Sequence, residues 1–248
     1  MINSPIPRIG GKRLLRTKIC DSFPSGERFN RYIEVFGGGG WVLFSKEKQA
    51  DFEIYNDADG NLVNLMRCIK YHCSELQREI DGFYNSREIF YDVSQQSNCR
   101  GFTDIQRAAR YFIKMRLSFG ADGRSFGCSK KPLYRSKDYL SVISDRLKNV
   151  LIENKDFEDL IKVYDRPSSF FYLDPPYHTT EKYYDIEFTE DDHKRLASQL
   201  SQIQGKFLLS YNDDTFIREL YKDYTIVSLS RNNNMSSGSF KELLIRNY

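Results

Sequence analysis

The sequence predicts a doubly wound α/β protein: a mostly parallel seven-stranded sheet with a hairpin at its C-terminal end and a mainly helical insertion. Three observations predict it. Short apolar or β-branched runs alternate with longer amphipathic stretches, as strands and helices do in an α/β sheet. One of those runs leads directly into four glycines, and an acid stands twenty residues beyond the first of them, the arrangement of a first turn in a doubly wound sheet. The alternation breaks off between about residues 75 and 148, where helical sequence and most of the positive charge collect.

In chain order, strands are expected at residues 31–36, 52–56, 150–153, 168–173, 206–210 and 224–229. A last strand at 241–246 follows a polar loop at 232–239 and forms the second arm of the closing hairpin. Helices are expected at 62–69, 105–117 and 190–203, with a further one directly after the glycines. The helix at 105–117 places Ile105, Ala108, Ala109, Phe112 and Met115 on one stripe, at the spacing of a buried helical face. Arg107, Arg110, Lys114 and Arg116 fall mostly off it. The sheet scaffold is therefore assigned to residues 1–74 and 149–248, and the insertion to 75–148.

Composition narrows the function. Apolar types make up 40% of the chain and charged types 29%, enough to bury a core and unlike a disordered segment. No apolar run approaches the roughly 18 residues needed to cross a bilayer, and the N-terminus lacks the apolar stretch of a secretory signal. Five scattered cysteines without a C-x-x-C pair, and only three histidines, argue against a disulfide framework or a zinc site. A cytoplasmic protein with reduced thiols, no metal and no membrane association is expected. The net charge of +3 conceals an asymmetry: +5 over residues 1–20, +8 over 100–148, and −10 elsewhere. Such segregation suits one face that meets a polyanion.

Tyr32-Ile-Glu-Val-Phe-Gly-Gly-Gly-Gly-Trp-Val-Leu-Phe44 carries the glycine turn. Glycines there allow a tight turn and a close approach of backbone to ligand. Asp57, at the end of the next strand, is placed to accept hydrogen bonds from a ribose, so a nucleoside-containing cofactor is expected. The spacing departs from G-x-G-x-x-G because Val42 occupies the last glycine position, which speaks against a nicotinamide or flavin enzyme. Glu34 lies within an apolar strand, where a charge requires a partner; that partner is either a cationic group of a ligand or an internal salt bridge.

Phe170-Phe-Tyr-Leu-Asp-Pro-Pro-Tyr177 is the most informative segment. Its apolar strand ends in Asp174, and Pro175 and Pro176 then fix the backbone and remove two amide donors. What remains is a carboxylate, the Pro175 carbonyl and the aromatic face of Tyr177. This is a site for a donor, such as an amino group on a planar ring.

With these motifs the chain resembles the Dam-type adenine-specific DNA methyltransferases, which use S-adenosylmethionine. The resemblance spans nearly the whole length. Pro7-Arg-Ile-Gly-Gly-Lys-Arg13 is similar to the family's opening motif, Glu34-Val-Phe-Gly-Gly-Gly39 to its cofactor loop, and Tyr55-Asn-Asp-Ala-Asp59 to its ribose motif. Asp174-Pro-Pro-Tyr177 matches the catalytic motif, while Leu208-Leu-Ser-Tyr-Asn-Asp213 and Lys241-Glu-Leu-Leu-Ile245 resemble later strand motifs. Arg8 departs from the pattern by replacing an aromatic, and the recognition hairpin shortens to Arg124-Ser-Phe-Gly127.

The resemblance implies methyl transfer to the 6-amino group of an adenine flipped out of duplex DNA. Asp174, Pro175, Pro176 and Tyr177 are then the catalytic set. Arg8, Lys12, Glu34, Gly37, Gly39, Asp57 and Asp174 bind S-adenosylmethionine, and Arg116, Arg124, Lys130, Lys131 and Arg135 bind DNA. A monomer or weak dimer, with a place in restriction–modification, fits this picture. RNA and protein-glutamine methyltransferases carry a related Asn-Pro-Pro-Tyr-like signature; Asp174 and the basic insertion favour DNA. A non-catalytic DNA-binding relative is disfavoured by the intact glycine turn, Asp57 and Asp174-Pro-Pro-Tyr177.

Overall fold

The computed structural model describes the chain except residues 26–28, 97–98, 129–132, 180–186 and 233–238. Its strands are β1 (Arg31–Glu34), β2 (Phe52–Asn56), β3 (Val150–Glu153), β4 (Ser169–Leu173), β5 (Lys206–Asn212), β6 (Thr225–Asn232) and β7 (Ser239–Arg246). The helices are α1 (Arg16–Asp21), α2 (Gly60–Tyr71), α3 (Cys73–Asp81), α4 (Arg87–Gln96), α5 (Asp104–Leu117), α6 (Leu133–Asp138), α7 (Leu140–Leu147), α8 (Phe157–Tyr164), α9 (Glu190–Ser201) and α10 (Thr215–Leu220). The seven strands lie in the order β3-β2-β1-β4-β5-β7-β6. β1 pairs in parallel with β2 and β4, and β4 with β5, whereas β7 runs antiparallel to both β5 and β6. The predicted mostly parallel sheet with a closing hairpin is thus the observed one.

The chain divides into two compact units. One comprises Met1–Arg16, Gly38–Glu47 and Asp59–Asn154, and the other Thr17–Gly37, Lys48–Ala58 and Lys155–Tyr248. In the second unit, one sheet face is apolar. Ile33, Ile54, Phe171, Leu173, Phe207, Leu209, Leu243 and Ile245 pack there with Leu160 and Ile161 of α8, Leu196 and Leu200 of α9, and Ile217 of α10. Burying each large apolar side chain contributes about 1.5–3 kcal/mol, so this face anchors the unit. Side chains alternate along a strand, and the opposite face carries Tyr32, Glu34, Tyr172, Ser210 and Glu242, all buried. Four of them pair off, Tyr32 with Glu34 at 2.7 Å and Tyr172 with Ser210 at 3.1 Å, as burial of polar groups favours.

The first unit is helical around α2 and α5. Leu62, Leu65, Met66 and Ile69 of α2 and Ala108, Ala109, Phe112 and Ile113 of α5 are buried. Their caps set the boundaries. Asp59 accepts the amides of Asn61 and Leu62, and Thr103 forms a capping box with Gln106, so both helices start one or two residues before the apolar periodicity does. Arg110, expected on the surface, instead bonds Gln96 at 2.8 Å and Glu79 at 3.2 Å and lies 4.0 Å over the Phe102 ring, which ties α5 to α4 and α3. The helix expected after the glycines is corrected to a single 3₁₀ turn, Leu43–Ser45. The apolar run there reflects burial of Val42, Leu43 and Phe44, and the chain is extended again at Lys46.

Candidate active site

Register brings the predicted residues of the second unit to one level. Glu34 of β1 stands opposite Tyr55 of β2 and Tyr172 of β4. Asp57 and Asp174 each lie two residues beyond these partners, and Gly37 lies three beyond Glu34. The chain passes from β1 outward to β2, then returns to place β4 on the other flank of β1. The carboxyl ends of β1 and β4 therefore flank the point where strand order reverses, the usual ligand crevice of such sheets.

The turn leaving β1 is stapled by Asn56, a residue the sequence reading passed over. Its Nδ2 donates to the Val35 carbonyl at 2.8 Å and the Lys155 carbonyl at 3.1 Å, and its Oδ1 accepts from Lys155 N–H at 2.8 Å. Gly37 N–H donates to the Asn56 carbonyl at 2.7 Å. Asp57 follows, with 8% of its surface exposed, so its position is dictated by a residue bonded on three sides. A polar residue closing an apolar strand was the available signal. Glu34 is buried and accepts the Tyr32 hydroxyl, so a hydroxyl of its own strand shares its charge.

Asp174 is half-buried, Pro175 is buried and Tyr177 is 9% exposed, its ring centroid 6.0 Å from that of Tyr211. Burial, then the Asp174 and Glu242 carboxylates, push the Tyr177 phenol well above its ordinary range. The phenol is therefore held in its protonated form.

The remaining predicted residues belong to the first unit. Arg8 Nη1 bonds Asp59 Oδ2 at 2.9 Å and the Tyr111 hydroxyl at 2.7 Å, and Tyr111 bonds Asp59 in turn at 3.0 Å. Burial works against the Asp59 charge, but the Arg8 guanidinium, with the Leu62 amide and Tyr111, holds its carboxyl below the usual range. Lys12 is buried and donates to the Gly10 carbonyl at 3.0 Å. A Cβ at Gly39 would meet Ser4 Oγ at 2.7 Å. Arg116 lies 5.5 Å from the Phe112 ring, and burial brings its guanidinium down to about 10. Arg124 and Arg135 are exposed; Lys130 and Lys131 lie outside the described residues.

The shortened hairpin is a closed loop. Ser118 and Phe126 form an antiparallel bridge, Phe119 N–H donates to Ser125 O at 2.7 Å, and Gly127 N–H donates to Leu117 O at 2.6 Å. Asp122 accepts from Arg124 N–H, Ser125 N–H and the Ser125 hydroxyl, which fixes the loop that presents Arg124.

A family model for D12 class N6 adenine-specific DNA methyltransferases matches residues 9–235. The chain belongs to that family. It is 28% identical to the type II methyltransferase M1.LlaDCHI of Lactococcus lactis subsp. cremoris, over 96% of this chain and 93% of that protein. It is also 28% identical to the type II methyltransferase M.MjaIII of Methanocaldococcus jannaschii, over 96% of each chain. The type II methyltransferase M.CviBI of Paramecium bursaria Chlorella virus NC1A is 26% identical over 87% of this chain and 85% of its own. This methyltransferase therefore acts on adenine in DNA, with S-adenosylmethionine the methyl donor that the family implies. Among the described residues, no helix is long and apolar enough to cross a membrane.

Proposed function

We propose that this enzyme methylates the 6-amino group of an adenine flipped out of duplex DNA at a specific site, with Asp174-Pro-Pro-Tyr177 as the transfer site. The observation that carries the reading is the placement of Asp174 beside the Gly37 turn, on neighbouring parallel strands at the reversal of strand order. The residues present suit S-adenosylmethionine. Asp57 offers a carboxylate for a ribose diol at the end of β2, and a Cβ at Gly38 would meet nothing within 4 Å, leaving room beside the backbone. Glu34, Gly37, Asp57 and Asp174 form the proposed cofactor set with Lys12 and Gly39. Arg8 enters it more weakly, because Asp59 and Tyr111 already engage its guanidinium.

When bound, S-adenosylmethionine supplies an electrophilic methyl group on a sulfonium. The adenine amine is a poor nucleophile because its lone pair is delocalised into the purine. The Asp174 carboxylate and Pro175 carbonyl accept its two N–H hydrogens and favour a pyramidal nitrogen with a localised lone pair. Catalysis then rests on positioning and electrostatics, and Asp174 takes the proton as the amine becomes acidic on methylation. Tyr177 stacks on the flipped base. Residues 75–148 form the recognition region, with Arg116, Arg124, Lys130, Lys131 and Arg135 on DNA. Charge supports this assignment: the unit containing these residues sums to +9 and the other to −6, and phosphate contacts require cations. A monomer or weak dimer, cytoplasmic and serving restriction–modification, completes the reading.

Tritiated-methyl transfer to unmethylated plasmid DNA tests it. Asp174→Ala is expected to abolish incorporation while leaving DNA retention in a mobility-shift assay within about threefold of wild type, since truncation removes a transition-state contact. Incorporation near the wild-type rate overturns the assignment.

A further inference from the structure

Tyr177 and His178 are consecutive, yet each is held by elements distant in sequence. Asn212, the last residue of β5, donates its Nδ2 to the His178 carbonyl at 3.1 Å. The His178 ring lies against Phe216 of α10 with centroids 4.7 Å apart, and its Nδ1 is 3.1 Å from Asp214 Oδ1. The ring packs there without a hydrogen bond between the two atoms. Asp214 is itself fixed, because the same oxygen accepts the amides of Phe216 at 2.9 Å and Ile217 at 3.3 Å as the N-cap of α10.

Behind this pair, His193 of α9 is fully buried and its Nδ1 lies 2.6 Å from the Tyr211 hydroxyl. Tyr211 faces the Tyr177 ring at 6.0 Å, and His193 meets the His178 ring edge-on at 5.6 Å. The contacts close a circuit from Tyr177 through Tyr211 and His193 to His178 and back along the chain. The next residue, Thr179, has φ +73°, a left-handed conformation costly for a β-branched side chain. Such strain persists where surrounding contacts over-determine the backbone.

We propose that Asn212, His178 and Asp214 form a clasp that sets the Pro175 carbonyl and the Tyr177 ring for methyl transfer. The inference rests on the reading of Asp174-Pro-Pro-Tyr177 as the transfer site. The five residues from Asp174 to His178 are held at one end by β4 and at the other by the clasp, so releasing His178 frees the Pro175 carbonyl to drift. Displacement of a reacting group by about 1 Å costs up to about a hundredfold in rate. The three residues are positioning residues that act through the loop.

The test uses the full chain and tritiated-methyl transfer to unmethylated plasmid DNA, with S-adenosylmethionine binding read by calorimetry and folding by thermal unfolding. Asn212→Ala and His178→Ala are expected to lower kcat about tenfold, with KM for DNA and cofactor affinity within about twofold. His178→Asn, whose amide nitrogen takes the place of Nδ1 beside Asp214, is expected to restore kcat to within about threefold. If the alanine variants do not fold, Asn212→Asp carries the test. It keeps the shape and loses the donor, and slowed transfer by a folded protein supports the clasp. An unchanged kcat in folded variants, or kcat and KM deteriorating together in step with the melting temperature, overturns it. Asp174→Ala, run alongside, separates the two ideas: its continued activity overturns the underlying reading, whereas an inactive Asp174→Ala with unimpaired clasp variants overturns the clasp alone.

Discussion

At Gly37 an added Cβ would fall 2.3 Å from Cε2 of Tyr55, whose ring is completely buried on β2. The ring is buried, so the glycine is required by this close approach. Gly37→Ala is expected to cost about 3 kcal/mol of stability, read as a lower urea midpoint, and to weaken S-adenosylmethionine binding in calorimetry. Wild-type stability in this variant contradicts the packing. Arg8 teaches a different lesson at the same scale. It stands where the family has an aromatic and enters the cofactor set only as a weak member; the structure engages it with Asp59 and Tyr111, partners about fifty and a hundred residues along the chain that no local pattern announces.

Among the described elements the strands were legible and the helices only in part, since α1, α3, α4, α6, α7, α8 and α10 were not placed one by one. Each strand falls where a short apolar or β-branched run predicts it, and three of the four predicted helices are present, because periodicity and capping are local properties. The first turns of α2 and α5 begin one or two residues before the apolar stripe because Asp59 and Thr103 cap them. Helix α9 instead starts at Glu190 as expected, capped by Thr189, and ends at Ser201, two residues short of the expected end. Thr103→Ala is expected to cost about 1 kcal/mol and to lower the melting temperature by about 2–4 °C, measurable by calorimetry; Thr103→Ser should lose much less. The helix expected after the glycines failed for a physical reason. Trp41-Val-Leu-Phe44 is apolar because it is packed, and an apolar run of four carries no helical period.

Across the whole molecule, charge and burial set the response to acid. Asp59 is the most buried of the carboxyls held below their ordinary range; Asp122 and Asp213 are lowered too, but near the surface, where solvent screens the effect. A carboxyl whose folded pKa is depressed contributes stability that is present above its unfolded value, about 3.9, and lost as pH falls through the folded one. Unfolding free energy measured in urea is therefore expected to fall as pH drops below the unfolded carboxyl value. Asp59→Asn should lower it by about 2 kcal/mol at pH 7 and flatten the acid limb. An unaltered acid slope in that variant counts against the Arg8–Asp59 pair as its source.

By itself the sequence determined the sheet, the order of the motifs and the family, because strand runs, glycine turns, caps and Asp174-Pro-Pro-Tyr177 are written in contiguous residues. Only the tertiary structure decided which polar groups meet. Asn56 found Lys155, Arg110 found Glu79 and Gln96, and His178 found Asn212 and Asp214. A buried polar atom must be satisfied, but the chain is silent on the partner, which is chosen by strand register and helix packing among residues far apart in sequence.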